Sequence, residues 1–281
     1  MAGQPIATLN DLIAGIFLGD NLRLYKVAPS SNEAAGVWAC YFDRGGSPAA
    51  MSKPAVGING AVQSKSVLGY INYRNPTGGR KKYLASATIQ ANQGGTLLLA
   101  DVLWHNWTST SGIVPTTLTE QAITTPALPA RDTNQAVNGE GCEIWLGVLS
   151  TAATNASAIA NTTVRYTNSN GEANRVATLP SWPATAVANT KVPLVLQAGD
   201  TGVESIEGIT LGTSYGAGEL VLAIVRPIAA LGITASNTGL NFNFADLGMP
   251  QIFDDSALAP FLLCSSTTGA PLYLNLRMAE W

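Results

Sequence analysis

The 281 residues carry a formal net charge of −3, with 12% charged and 46% hydrophobic side chains. The charged share is about half of the ~25% usual in globular chains. That balance excludes a disordered polyelectrolyte, which lacks the apolar residues to build a core, and gives no support to nucleic-acid binding through bulk charge.

The first periodic element is Leu9, Leu12, Ile13, Ile16 and Phe17, near helical spacing, with Thr8 or Asn10 as the cap and Gly19 as the stop. Its apolar core is too short to span a bilayer, and no basic residue precedes it as in a signal peptide. Leu22–Val27 alternates like a strand. Asp43–Ser66 is rich in Gly, Pro, Ser and Ala and reads as a long loop or extended arm, punctuated by Met51, Val56, Ile58 and Val62. Such a segment needs support from its own domain or from a neighbour.

Tyr70–Tyr73 and Lys82–Ala85 flank Asn75–Gly79, which predicts a hairpin. Thr96–Trp104, apolar but for Thr96 and Asp101, and Ile144–Leu149, apolar throughout, read as buried strands. Thr162–Thr167 and Arg175–Leu179 are joined by a turn containing Asn170-Gly171, the strongest short-range hairpin signal. Val203–Leu211 and Glu219–Arg226 continue the strand series, and Leu272–Met278 alternates near the C-terminus. Short strands at regular spacing predict a mainly β chain, an antiparallel β-sandwich or jelly roll with an extended N-terminal arm and long loops. The expected division is an arm over 1–66, a sandwich over 67–230, and a C-terminal segment over 231–281 that packs on the sandwich or on a neighbour.

Charge is unevenly distributed. Between Arg44 and Ala100 stand seven basic residues (Arg44, Lys53, Lys65, Arg74, Arg80, Lys81, Lys82) and no acidic one. From Val192 onward there are eight acidic residues, Glu280 the last of them, against Arg226 and Arg277. These surfaces can meet between subunits or within one chain. Arg80, Lys81 and Lys82 at a hairpin read as a solvated strand edge or a contact surface. With the apolar residues Met51, Val56 and Ile58 they are the candidate subunit contacts.

Little in the sequence carries catalytic chemistry. His105 is the single histidine, in Trp104-His105-Asn106-Trp107, and reads as a packed or hydrogen-bonded loop residue. No GxSxG elbow accompanies it, and one histidine cannot make a multi-histidine zinc site. Glu204, Glu207, Asp200, Asp254 and Asp255 read as solvated turn carboxylates rather than calcium ligands or a glycosidase pair. Gly212–Gly218 lacks the GK[ST] ending of a phosphate loop. Cys40, Cys142 and Cys264 are widely spaced and odd in number, so free buried thiols are expected. No catalytic residue, cofactor or metal is expected.

The order Gly94–Asn106, Pro129–Asp132, Gly139–Gly141, Tyr166–Ser169, Pro183–Ala188, Leu196–Val203 and Ile209–Ser214 resembles virion structural proteins encoded by tailed phages. The resemblance covers roughly residues 65–230 and carries no defined site. It implies a particle component assembled in the host bacterial cytoplasm. The expected function is a non-enzymatic capsid decoration or cement protein stabilising the head, with a tail, collar or fibre-base protein as the alternative. Its expected partners are further copies of itself, the major capsid protein or other virion proteins, with no membrane and no direct nucleic-acid contact. A carbohydrate-binding or adhesin module is a third reading. It requires an exposed aromatic platform, for which Trp104, Trp107, Trp145 and Trp182 are the candidates.

Overall fold

The computed structural model describes residues 8–28, 35–51, 57–107, 112–149, 151–184, 186–267 and 269–281. In chain order the elements are helix α1 (Leu9–Leu18) and strands β1 (Asn21–Lys26), β2 (Trp38–Cys40), β3 (Gly46–Ser47), β4 (Ala61–Val62), β5 (Lys82–Ala91) and β6 (Gly95–His105). They continue with β7 (Gln121–Ala122), β8 (Glu143–Val148), β9 (Thr163–Asn168), β10 (Arg175–Thr178), β11 (Thr190–Pro193), β12 (Val203–Thr210) and β13 (Leu220–Ile233). The last are β14 (Leu240–Phe242), helix α2 (Phe244–Leu247), β15 (Gln251–Ile252), β16 (Leu258–Cys264) and β17 (Leu272–Glu280).

The chain is mainly β, and its strand pairings are antiparallel. At the centre, β13-β8-β11-β2-β16-β6 pair in that order, and β13 pairs again with β6, so six strands close into a barrel with β4 added beside β6. Closure removes the free edges that would otherwise template unwanted pairing. The inner row is read directly from the period of two. Leu98, Ala100 and Val102 of β6 meet Val221, Ala223 and Val225 of β13, Trp145 of β8, Cys40 of β2, and Ala259 and Phe261 of β16.

The outward residues of the same strands build two more cores. A four-stranded sheet, β10-β9-β12-β7, covers one side. There Ile144, Leu146 and Leu222 of the barrel pack with Val164, Tyr166, Ile206 and Ile209. A six-stranded sheet, β14-β5-β17-β1-β3 with β15 also on β5, covers another side. There Leu97, Leu99 and Leu262 meet Leu84, Ile89, Leu274 and Leu276. Apolar strands such as Thr96–Trp104 are thus covered on both faces, which explains their lack of alternation. β13 serves all three cores, and its register slips between Pro227 and Ala229. Pro227 has no N–H to offer the ladder, and a bulge tolerates it.

Several expectations change. Tyr70–Tyr73 does not form a hairpin with β5. One edge of β5 is taken by β17 and the other by β14 and β15, so no ladder position is left. Ile71 instead bridges to Leu258 of the barrel. Nor do the sheets follow the division at residues 66 and 230. β1 and β2 from the first segment, and β16 and β17 from the last, lie inside the two larger sheets. The Asn170-Gly171 hairpin forms, with Arg175 opposite Tyr166 and Gly171 at φ 78°. Among the described residues no helix is long and apolar enough to cross a membrane.

Candidate functional site

The candidate contact residues are not brought together. Lys82 is fully buried, with its amine bonded to the Asp20 carboxylate and the Arg74 carbonyl. Glu280 lies 3.8 Å from it and is approached also by Arg74 at 3.7 Å and Arg80 at 3.8 Å. Lys65 pairs with Asp255 at 3.8 Å. The basic stretch and the acidic C-terminal stretch therefore meet within one chain, and Lys82 is not a solvated edge. Burial drives this outcome, because a lysine inside a sheet layer is tolerated only when paired. Arg80 is exposed and Lys81 is exposed, the latter with its backbone joined to Trp281.

The apolar candidates separate as well. Met51 is buried at one end of the barrel, with its N–H on the Phe42 carbonyl at 3.0 Å. Ile58 is half-buried against the core under the four-stranded sheet. Its carbonyl accepts from Asn106 Nδ2 at 3.1 Å, and the neighbouring Asn59 carbonyl accepts from Trp104 Nε1 at 3.0 Å. Val56 lies outside the described residues. Both described positions are thus used inside the chain.

His105 ends β6 and is buried, not in a surface loop. Its Nδ1 accepts the Trp107 N–H at 3.1 Å, which leaves the proton on Nε2. The ring packs against Phe42 and Trp107, with centroids 6.4 and 6.1 Å away, and burial pulls its pKa down to about 3. The acidic candidates are not simply solvated. Asp200 accepts from Arg175 at 2.9 and 3.0 Å, from Asn168 at 2.8 Å and from Tyr166, and the arginine first among these holds its pKa down to about 2. Glu207 is bonded by Arg165 and by Thr167. Among the described residues no three His, Cys, Asp or Glu side chains converge as metal ligands. Trp104, Trp107, Trp145 and Trp182 are all buried, so none of them offers an open platform.

The surface feature that stands out is α1. Thr8 caps it through a reciprocal bond with Asp11. One side carries Leu12 and Gly15 onto β17, where a Cβ at Gly15 would sit 2.3 Å from the Trp281 ring. The other side carries Leu9, Ile13 and Phe17 at i, i+4 and i+8, so they form one row. They are 67%, 43% and 85% exposed.

No family model and no curated protein matches this chain. Among solved structures, the chain is weakly similar to the VP2 subviral particle of infectious bursal disease virus. The identity is 10%, 100% of this chain and 82% of that chain are covered, and the TM-score is 0.17. A Gt strain structure of the same virus gives 8% identity, 99% and 83% coverage, and a TM-score of 0.16. Likeness at that level carries no argument about function.

The helical row was legible in the sequence as an apolar period, but which half of it is covered was not. Two further residues of interest, Trp38 and Glu143, line the open end of the barrel. Sequence inspection passes over them, because Glu143 stands just before an apolar run. Its only signal is parity with Trp145, which places both side chains on one strand face.

Proposed function

We propose that this protein is a non-enzymatic structural subunit of a tailed-phage particle, acting as a capsid decoration or cement protein, and that α1 is the element by which it joins its neighbours. The observation that carries the reading is the outward row Leu9, Ile13 and Phe17. Burying a side chain such as Phe17 is worth about 1.5–3 kcal/mol relative to leaving it in water. A row of three on one helix face is the anchor pattern of helix-in-groove docking. The low charge of the chain supports the same reading, since it protects little against association. The resemblance over residues 65–230 supports the phage particle as the setting. Because the basic and acidic stretches are paired internally, the apolar row and not charge complementarity is the proposed contact.

The test uses particles assembled without the protein and the purified full chain. Wild type is expected to bind them, and Phe17→Ser with Ile13→Ser to weaken binding at least tenfold without a drop in melting temperature. Binding should change little between low and moderate salt. Failure of wild type to bind, or unchanged binding by the double variant, overturns the contact. A glycan- or peptide-hydrolysing activity of the purified chain overturns the non-enzymatic assignment.

A further inference from the structure

The barrel is plugged at one end and open at the other. Phe42, Tyr70 and Trp107 fill the plugged end. The open end is a groove of about 820 Å3, within the usual range of roughly 300–1,000 Å3 for small-ligand sites. Barrel mouths are recurrent places for such sites, because strand ends and loops converge there on a rigid frame.

The chemistry of this mouth is one-sided. Its floor is the inward row of the barrel strands, with Trp38 and Trp145 edge to face at 5.5 Å and Leu98 beside them. Glu143 projects from β8 on the same face as Trp145 and accepts the Trp145 indole N–H at 2.8 Å. Among the described residues that indole is the only side-chain partner of the Glu143 carboxylate, and no basic group lies within ion-pair distance of it. The second carboxylate of the groove, Asp200, is already neutralised by Arg175. No Lys, Arg or His side chain is among the lining residues. A half-buried carboxylate without a counter-charge, set beside two indoles, is unbalanced in one direction.

We propose that the barrel mouth binds an organic cation, an ammonium or guanidinium head carried on a short apolar stem. The head pairs with the second oxygen of Glu143 and lies against the half-buried Trp38 indole, whose ring quadrupole attracts positive charge, with buried Trp145 holding the carboxylate in place. The stem replaces water over Leu98, Pro193 and Leu196. A neutral sugar would shield the carboxylate from water without supplying a charge, and an organic anion would be repelled. The proposal stands apart from the particle role, since α1 and the mouth share no residue.

Calorimetric titration of the full chain tests it, with butyltrimethylammonium and butylamine as cations, 3,3-dimethylbutanol as a neutral isostere, butyrate as an anion and methyl glucoside as a sugar. Saturable binding of both cations is expected, at least tenfold tighter than any of the other three and weakened by salt. Glu143→Gln keeps an oxygen for the Trp145 indole and is expected to lose at least tenfold in cation affinity. Trp38→Leu is expected to lose a similar factor, and Arg80→Ala none. The wild-type selectivity is decisive even if a variant does not fold. No saturable binding of either cation overturns the proposal. So does binding of the neutral isostere, the sugar or butyrate as tight as that of the cations, or a folded Glu143→Gln chain that binds the cations as wild type does.

Discussion

Lys82 and Glu280 face each other across the β5–β17 ladder, each almost wholly buried, with amine and carboxylate 3.8 Å apart. Asp20, just before β1, pairs with the amine, and Arg74 and Arg80 reach the carboxylate. Three distant parts of the chain are thereby fixed by one charge cluster. Removing one partner of a buried pair leaves the other uncompensated, which costs about 3–5 kcal/mol when nothing else takes its place. Asp20 remains beside Lys82, so Glu280→Ala is expected at the lower end, about 3 kcal/mol. Urea unfolding should show a lower midpoint with an unchanged slope. An unchanged midpoint would mean that the pair is dispensable.

The His105 ring predicts a pH dependence. Burial lowers its pKa to about 3 in the folded chain, against about 6.5 when unfolded. The unfolded chain therefore binds a proton that the folded chain refuses. This contribution to stability is full above about pH 6.5 and declines as pH falls toward 3. His105→Phe should flatten the melting temperature over that interval. A variant with the wild-type slope would place the titration elsewhere.

Asp200 acts at lower pH and through a different cause. Arg175, Tyr166 and Asn168 stabilise its carboxylate, and its pKa falls to about 2, against about 3.9 when unfolded. A depressed carboxyl contributes stability above the unfolded value, and the contribution is lost as pH falls through the folded one. Stability of wild type is thus expected to drop between about pH 4 and 2. Asp200→Asn should be less stable at neutral pH and should lack that drop, as urea midpoints across the interval would record.

The three cysteines lead to a chemical prediction. Cys40, Cys142 and Cys264 are buried thiols outside any disulfide, and burial pushes the pKa of Cys40 and Cys142 upward. The thiolate is the reactive form, so the native chain should resist alkylation. Mass measurement after alkylation without reductant should show almost no label on the folded chain and three on the unfolded one. Fewer labels after unfolding would indicate a disulfide.

The mainly β class, the α1 helix with its stop at Gly19, the strands around Thr96–Trp104 and Ile144–Leu149, and the β9–β10 hairpin were legible in the sequence, whereas the choice of Thr8 over Asn10 as the cap came from the structure. Those signals are local, set by capping groups, turn residues and a period of two or 3.6. Barrel closure was not local. It depends on β13 pairing with both β8 and β6, and on the N-terminal β2 lying between β11 and β16. Periodicity says which residues share a face but not which strand lies next to it. The same limit governed the sites. Lys82 reads as a solvated edge until β17 brings Glu280 to it. Glu143 and Trp38 gain a common setting only when the barrel leaves one end open. Phe17 stands out only because Gly15, on the opposite side of the helix, takes the single face that the sheet can cover.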